Sequence, residues 1–425
     1  MSHRREKIGS GVIWMATLVL VATGCSHLEP KESKPGSGAS AKLSEVLHPL
    51  EQKYARDKHV GVFSVGLETR GATMVLTGEV DRVEARTEAL QAAASAGIQA
   101  VDKITVLPAA ELGEKTFAIS TLSVANGREF PDHKAEMGTQ ILMGHTARVL
   151  KSSRFWLLVQ TSDGYLSWVE KGAVVQCTKE TADAWKNAPL MIVTAFDDCV
   201  RETAQADAQP VSDVVIGDLL KSSGDENGWF KVELPDGRKG FLPRNSASDY
   251  SDWKKTRVAN ADNIERTAKM FLGRPYLWGG NSPKGFDCSG FAKTVFLLNG
   301  IQLNRNASEQ VWQGSEVSVD SNLKNLKRGD LLFFGWSGRR GWEGRVARGP
   351  EIDLSSELAT ARLPKGPMVT HVGIYLGDKL FIQSSQRVKI SSFDPDSPLF
   401  DEHHSRSLLF ARRVLPETTA AQAAP

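Results

Sequence analysis

A lone cysteine in Phe286-Asp287-Cys288-Ser289-Gly290-Phe291, with a histidine far downstream in Thr370-His371-Val372-Gly373, is the pairing that nucleophilic acyl transfer needs. The apolar residues after Cys288 recur at helical spacing (Phe291, Val295, Leu298) and stop at Asn299-Gly300. Cys288 is therefore predicted in the first turn of a buried helix. Unpaired backbone N–H groups and the helix dipole there favour a thiolate, so the Cys288 pKa is expected to be lowered. His371 opens an alternating apolar strand, and a Gly377-Asp378 turn brings the chain back through Leu380-Phe381-Ile382-Gln383-Ser384. In that hairpin Gln383 can lie beside His371 and hold one ring nitrogen with its amide oxygen. Cysteine on a helix, histidine on a strand and a polar orienter on the next strand form an acyl-transfer site.

Several elements must position these side chains. At about 150 residues per domain, 425 residues suggest about three domains. Lys plus Arg (52) nearly cancels Asp plus Glu (50), which argues against a nucleic-acid partner. Four cysteines are too few for a disulfide scaffold. Arg4, Arg5 and Lys7 precede an uncharged run, Ile8 to Gly24, that is too short for an ordinary spanning helix. A secretory signal over 1–25 is expected, followed by a Ser/Gly/Pro/Lys-rich tether over 26–41. Export leaves open a disulfide between Cys177 and Cys199, with Cys288 alone.

Over 42–110 the pattern reads helix, two strands, helix, strand. Asp81-Arg82-Val83-Glu84 has the form of a capping box, and Gly97 is the stop of the second helix. An internal repeat follows. Trp156 to Val169 aligns without a gap onto Trp229 to Leu242, and alternating apolar residues flank Asp163-Gly164 in one copy and Asp236-Gly237 in the other. Glycine accepts the positive φ such a hairpin turn requires. Two small β-barrels are expected, over 117–177 and 188–248. A helix from about Ala261 to Leu272 opens a last domain over 259–415, before a frayed tail at 416–425. Gly335 to Met368 reads as a solvated insertion, the alternative being a lid over the groove. Asp401-Glu402-His403-His404 resembles a metal cluster only in residue type, and neither metal nor cofactor is expected.

Four motifs in order carry a family resemblance: Tyr276-Leu277-Trp278-Gly279-Gly280, the Phe286–Phe291 box, Arg328-Gly329-Asp330-Leu331-Leu332-Phe333-Phe334, and the strand His371-Val372-Gly373-Ile374-Tyr375-Leu376-Gly377. The stretch resembles the NlpC-type cell-wall cysteine peptidases, a minimal papain-like α+β fold. The resemblance implies Cys288 as nucleophile, His371 as general base and then acid, and Gln383 as orienting residue, where the family more often has histidine. It also implies Tyr276 as a phenol beside the nucleophile. The repeats resemble bacterial SH3-like domains, and 42–110 resembles the BON-type domains of envelope proteins, giving an α+β multidomain chain overall. The small residues before Cys25 resemble a bacterial lipoprotein signal, which implies lipidation of Cys25 and a membrane anchor in the cell envelope.

Two SH3-like domains before the peptidase domain resemble the dipeptidyl-peptidase VI type, which are γ-D-glutamyl-L-diamino acid endopeptidases. That resemblance implies peptidoglycan stem peptides with a free L-alanine amine as substrate, with no nucleic acid and a monomeric enzyme. It makes Glu136 the acid and Tyr165 the tyrosine of the amine site, completed by Asp287 and Ser289. A carboxylate pair at a closed groove end would attract an ammonium and exclude a blocked peptide. Two alternatives remain on sequence grounds: a catalytically silent wall-binding scaffold, and an amidase or acyltransferase using the same residues.

Overall fold

The computed structural model describes residues 37–336 and 368–416. The expected signal, Cys25, nearly all of the tether and the 335–368 insertion, and the tail beyond Pro416 lie outside the described residues.

The N-terminal domain comprises α1 (Ser37–Tyr54), β1 (Phe63–Arg70), β2 (Thr73–Val80), α2 (Val83–Ser95) and β3 (Val101–Val106). β1 and β2 form an antiparallel hairpin, while β2 and β3 run parallel. A parallel pair needs a crossover, and α2 supplies it. Leu43 and Leu47 of α1 and Ala85, Ala89 and Ala93 of α2 bury one core with Leu76 and Val80. The capping box does not form: Arg82 is the N-cap residue, it makes no side-chain cap hydrogen bond, and Asp81 Oδ1 is buried without a hydrogen-bond partner among the described residues, 3.7 Å from Arg82 Nε. The main chain of Asp81 is held by Val62 instead, one residue too early for its carboxylate to cap the helix.

Next come β4 (Phe117–Ser120), β5 (Val124–Arg128), β6 (Met137–Leu142), β7 (Thr146–Ser153), β8 (Trp156–Gln160), β9 (Leu166–Glu170) and β10 (Val174–Cys177). The linking helix α3 (Lys179–Lys186) leads to β11 (Leu190–Val193), β12 (Asp197–Arg201), β13 (Pro210–Val215), β14 (Leu219–Glu226), β15 (Trp229–Glu233), β16 (Lys239–Pro243) and β17 (Ala247–Asp249). The two seven-stranded sheets have one topology, β10-β4-β7-β8-β9-β5-β6 and β17-β11-β14-β15-β16-β12-β13. The repeat therefore spans the whole domain, not only the hairpin visible in the sequence. Gly164 and Gly237 take φ of 85° and 86° in equivalent turns. Cys177 ends the first sheet, Cys199 sits within the second, and both are free. The pair left open by the sequence is not made, because the two cysteines belong to separately packed sheets.

After α4 (Tyr250–Lys255) and α5 (Ala261–Met270), two short strands, β18 (Asn281–Ser282) and β19 (Gly285–Phe286), lead into α6 (Cys288–Leu297) and α7 (Ala307–Gln310). The remaining elements are β20 (Ser315–Val317), β21 (Leu331–Trp336), β22 (Met368–Gly377), β23 (Leu380–Ser385), β24 (Arg387–Ser392), α8 (Glu402–Ser407) and β25 (Leu408–Arg413). They form a six-stranded sheet ordered β20-β25-β21-β22-β23-β24. Helix α6 is apolar on nearly every face because it is covered on nearly every face. Phe291, Ala292, Val295 and Phe296 are fully buried against Val372, Ile374 and Ile382 of the sheet. That packing puts the start of α6 beside the start of β22.

The first β-domain is fixed to the last domain by buried amides. Gln140 N donates to Asn281 Oδ1 at 2.8 Å, Asn281 N to Gln140 Oε1 at 3.1 Å, and Ser282 Oγ to Gln140 Oε1 at 2.9 Å. Gly279, at φ +74°, lies so close to Met137 that a Cβ there would stand 2.2 Å from its carbonyl oxygen.

Candidate active site

Cys288 is the first residue of α6. Its predecessor Asp287 is the N-cap, with Oδ1 accepting from Gly290 N at 2.6 Å. Backbone N–H groups of Ser289 and Val372 face the sulfur and favour its ionised form, and Val372 immediately follows His371. The thiol and the imidazole thus come from the neighbouring elements α6 and β22. The expected thiolate is not the resting form. Burial, followed by the Asp287 charge, pushes the Cys288 thiol up to about 12, against the opposing pull of the two N–H groups. Burial, followed by His404, pushes His371 down to about 3. The helix dipole is real but smaller than the cost of an ion in a closed site. At rest the pair is neutral thiol and neutral imidazole.

The ring nitrogens of His371 have distinct jobs. Nε2 lies 2.6 Å from Gln383 Oε1. An amide oxygen only accepts, so Nε2 carries the proton and Nδ1 is the basic nitrogen. The amide orientation is set from behind. Gln383 Nε2 donates to Ser391 Oγ at 2.9 Å and to Asp401 Oδ2 at 3.0 Å. Gln383 is fully buried, so flipping it would leave both acceptors and the imidazole mismatched. His404, 2.9 Å from Asp401 Oδ1, closes the network and packs 4.6 Å from the His371 ring. Asp401 and His404, seen in the sequence only as a poor metal cluster, are the backing of the orienting residue. The Asp401 carboxylate raises the proton affinity of His371, so it favours the imidazolium form of that ring.

Asp287 is saturated by the scaffold. Besides Gly290 N, its oxygens accept from Gly279 N at 3.0 Å and Ser289 Oγ at 3.2 Å, and from Arg305 Nη1 and Nη2 at 3.1 and 2.6 Å. Arg305 is 2% exposed and also reaches Ser289 Oγ and, through Nε, Thr139 Oγ1 of the first β-domain. Nothing in the sequence flagged Arg305: an isolated arginine in Leu303-Asn304-Arg305-Asn306 has no periodicity to betray its burial. It balances the Asp287 charge, which fixes the start of α6 and hence the sulfur.

A cavity of about 300 Å³ is lined by Cys288, Ser289 and Tyr276 at one side and by Glu129, Glu136 and Tyr165 at the other. Burial raises the Tyr276 hydroxyl pKa, so the phenol stays a donor beside the sulfur. Glu129 N donates to Glu136 O at 2.9 Å, which sets the two glutamates opposite each other at the head of the β5–β6 hairpin. They are not equivalent. The Glu129 carboxylate and the Tyr165 hydroxyl converge over Gly138, where a Cβ would be 3.1 Å from Glu129 Oε1 and 2.5 Å from Tyr165 Oη. Tyr165 is 3% exposed. Glu129 is thus the acid beside the tyrosine, and the sequence reading, which chose Glu136, missed it.

These features coincide with known proteins. Residues 273–343 match the model of the NlpC/P60 family, and residues 127–174 match that of the bacterial dipeptidyl-peptidase Sh3 domain. A γ-D-glutamyl-L-lysine dipeptidyl-peptidase of Bacillus subtilis is 30% identical over 239 residues, covering 52% of this chain and 75% of that protein. The chain belongs to the NlpC/P60 family. It is a cysteine peptidase built of an SH3-like domain and a C-terminal NlpC/P60 domain within a larger multidomain chain. A relative of the same name from Bacillus cereus is 27% identical over 290 residues, 66% of this chain and 76% of its own length. The crystal structure of a Bacillus cereus NlpC/P60 family protein shares the fold, with a TM-score of 0.55 at 24% identity over 71% of this chain and all of that one.

Proposed function

We propose that this NlpC/P60 enzyme hydrolyses the γ-D-glutamyl–diamino acid amide of peptidoglycan stem peptides whose L-alanine carries a free amine. The observation that carries the reading is the single cavity joining Cys288 to Glu129, Glu136 and Tyr165. A carboxylate and a phenol at a closed end suit an ammonium, and the sulfur at the other side suits a carbonyl farther along the same peptide. The relatives named γ-D-glutamyl-L-lysine dipeptidyl-peptidases support the choice of bond.

In this reading His371 Nδ1 takes the Cys288 proton as the sulfur attacks the γ-carbonyl of D-glutamate, and the C–N bond then breaks with return of that proton to the departing amine. Water, activated by the same nitrogen, hydrolyses the thioester and frees the sulfur. The Cys288 backbone N–H and the Tyr276 hydroxyl donate to the oxyanion. Gln383 holds the ring, Ser289 and Asp287 shape the amine side, and Glu129 rather than Glu136 makes the direct ion pair. Cys25 carries a lipid that tethers the enzyme in the cell envelope, and the N-terminal domain is of BON-like type.

The test is a digest of free-amine muropeptides read by mass spectrometry. L-Ala-γ-D-Glu should be released, and Cys288→Ala should abolish release. A different product, or undiminished release by that variant, would refute the proposal.

A further inference from the structure

The loop between α1 and β1 brings Asp57, Lys58 and His59 from the N-terminal domain to the amine end of the cavity. It is pinned there. His59 O accepts from Leu166 N at 2.6 Å, and the Arg56 guanidinium lies 5.0 Å over the Trp312 ring. The imidazole stacks on Tyr165, with centroids 5.0 Å apart and planes within 5°. Its Nδ1 is 2.7 Å from Asp57 Oδ1 and its Nε2 is 2.6 Å from Glu129 Oε1. Carboxylate oxygens only accept, so both ring nitrogens are protonated and His59 is a cation. Lys58 Nζ donates to the other Glu129 oxygen at 2.7 Å. Burial alone would lower the His59 pKa, but the two carboxylates outweigh it and raise the value to about 9. His59 first, opposed by burial and helped by Lys58, holds Glu129 at about 2.

We infer that Lys58 and His59 are specificity-determining residues of the amine subsite: they sit on Glu129 as internal cations, and a substrate enters by exchanging its own ammonium for them. The inference rests on the amine-subsite reading above. Both Glu129 oxygens already have a charged donor from the same chain, the stacked His59 and the more exposed Lys58, so an incoming amine competes with them. Glu136 has no ion-pair partner among the described residues and lies across the same hairpin, so the subsite keeps a net negative charge that draws the amine in.

The test compares the wild type with Lys58→Ala/His59→Ala on the tripeptide L-Ala-γ-D-Glu-L-Lys and its N-acetylated form. Removal of the internal cations should lower KM for the free-amine peptide about fivefold with kcat within about twofold, and leave kcat/KM for the acetylated peptide within about twofold. An unchanged KM overturns the inference. A raised KM also overturns it, since the loop would then be building the subsite. If neither enzyme cleaves the tripeptide, the reading of the scissile bond fails, and the exchange is decided without turnover. In full-length Cys288→Ala protein labelled with 15N-histidine, L-alaninamide should shift the His59 ring resonances, and N-acetyl-L-alaninamide should not. No shift with L-alaninamide overturns the inference.

Discussion

The two β-domains repeat one topology down to single hydrogen bonds. Arg128 Nη1 donates to Ala135 O at 2.7 Å, and Arg201 Nη1 donates to Ala208 O at 3.0 Å. Glu129 N pairs with Glu136 O as Glu202 N pairs with Gln209 O. Yet Tyr165 is replaced by Arg238, which spends its donors on Asp236, Val211 O and Thr121 O. The turn residue Asp163 is buried on Lys293 of α6, whereas Asp236 pairs, among the described residues, with its own neighbour Arg238. Only the first copy reaches the cavity that holds Cys288. A duplicated fold thus carries a site in one copy and joinery in the other, and the difference lies in a few side chains on one face.

The largest contrast should come from the two turns. Lys293→Met leaves Asp163, 3% exposed, without its counter-ion, and should cost about 3–5 kcal/mol in denaturant unfolding. Arg238→Met at the equivalent turn should cost less than about 1 kcal/mol, because that pair is half in water. Burial tends to raise the Asp163 pKa, but Lys293, helped by the Thr161 hydroxyl and the backbone, holds it below the usual range. Its stabilisation is therefore full above the ordinary carboxylate pKa and lost as pH falls through the lowered folded value. In Lys293→Met burial is left to raise the folded pKa, so that loss on acidification should disappear and stability should instead fall as pH rises through the raised value. Equal costs at both turns would break the contrast.

Function should separate the copies nearly as far. Tyr165→Arg gives the first hairpin the residue of the second and should lower kcat/KM about 100-fold, while Arg238→Tyr should leave it within about twofold. A third experiment addresses how the sheets compensate size. A Cβ on Gly127 would lie 2.4 Å from Ser167 Oγ, and one on the equivalent of Ser167, Gly240, would lie 2.6 Å from Val200 Cγ1. Gly127→Val should therefore cost about 2 kcal/mol, and adding Ser167→Gly, which copies the second domain, should recover most of it. The smallest effect concerns what neither copy supplies. Asp401→Asn should lower kcat about tenfold with little change in KM, since it weakens support for the imidazolium through Gln383.

Much of the site was legible because its signals are local. Cys288 follows its own N-cap, His371 and Gln383 lie on neighbouring strands of one hairpin, and the Asp-Gly turns announce the repeat. The capping box at Asp81 looked equally local and failed, because tertiary packing fixed the chain entry one residue later. The choice of Glu136 over Glu129 had a similar cause: two glutamates at one hairpin head differ only in what faces them across the cavity.

Motif order and periodicity by themselves pointed to the repeat and brought Cys288, His371 and Gln383 forward as candidates. Only the tertiary structure decided their charge states and their partners. Arg305 meets Asp287, His59 meets Glu129 and Lys293 meets Asp163 across long loops and between domains. No short-range pattern encodes such contacts. Whether a thiol, an imidazole or a carboxylate is ionised depends on the water excluded around it and the counter-ion brought to it, and both are products of the assembled chain.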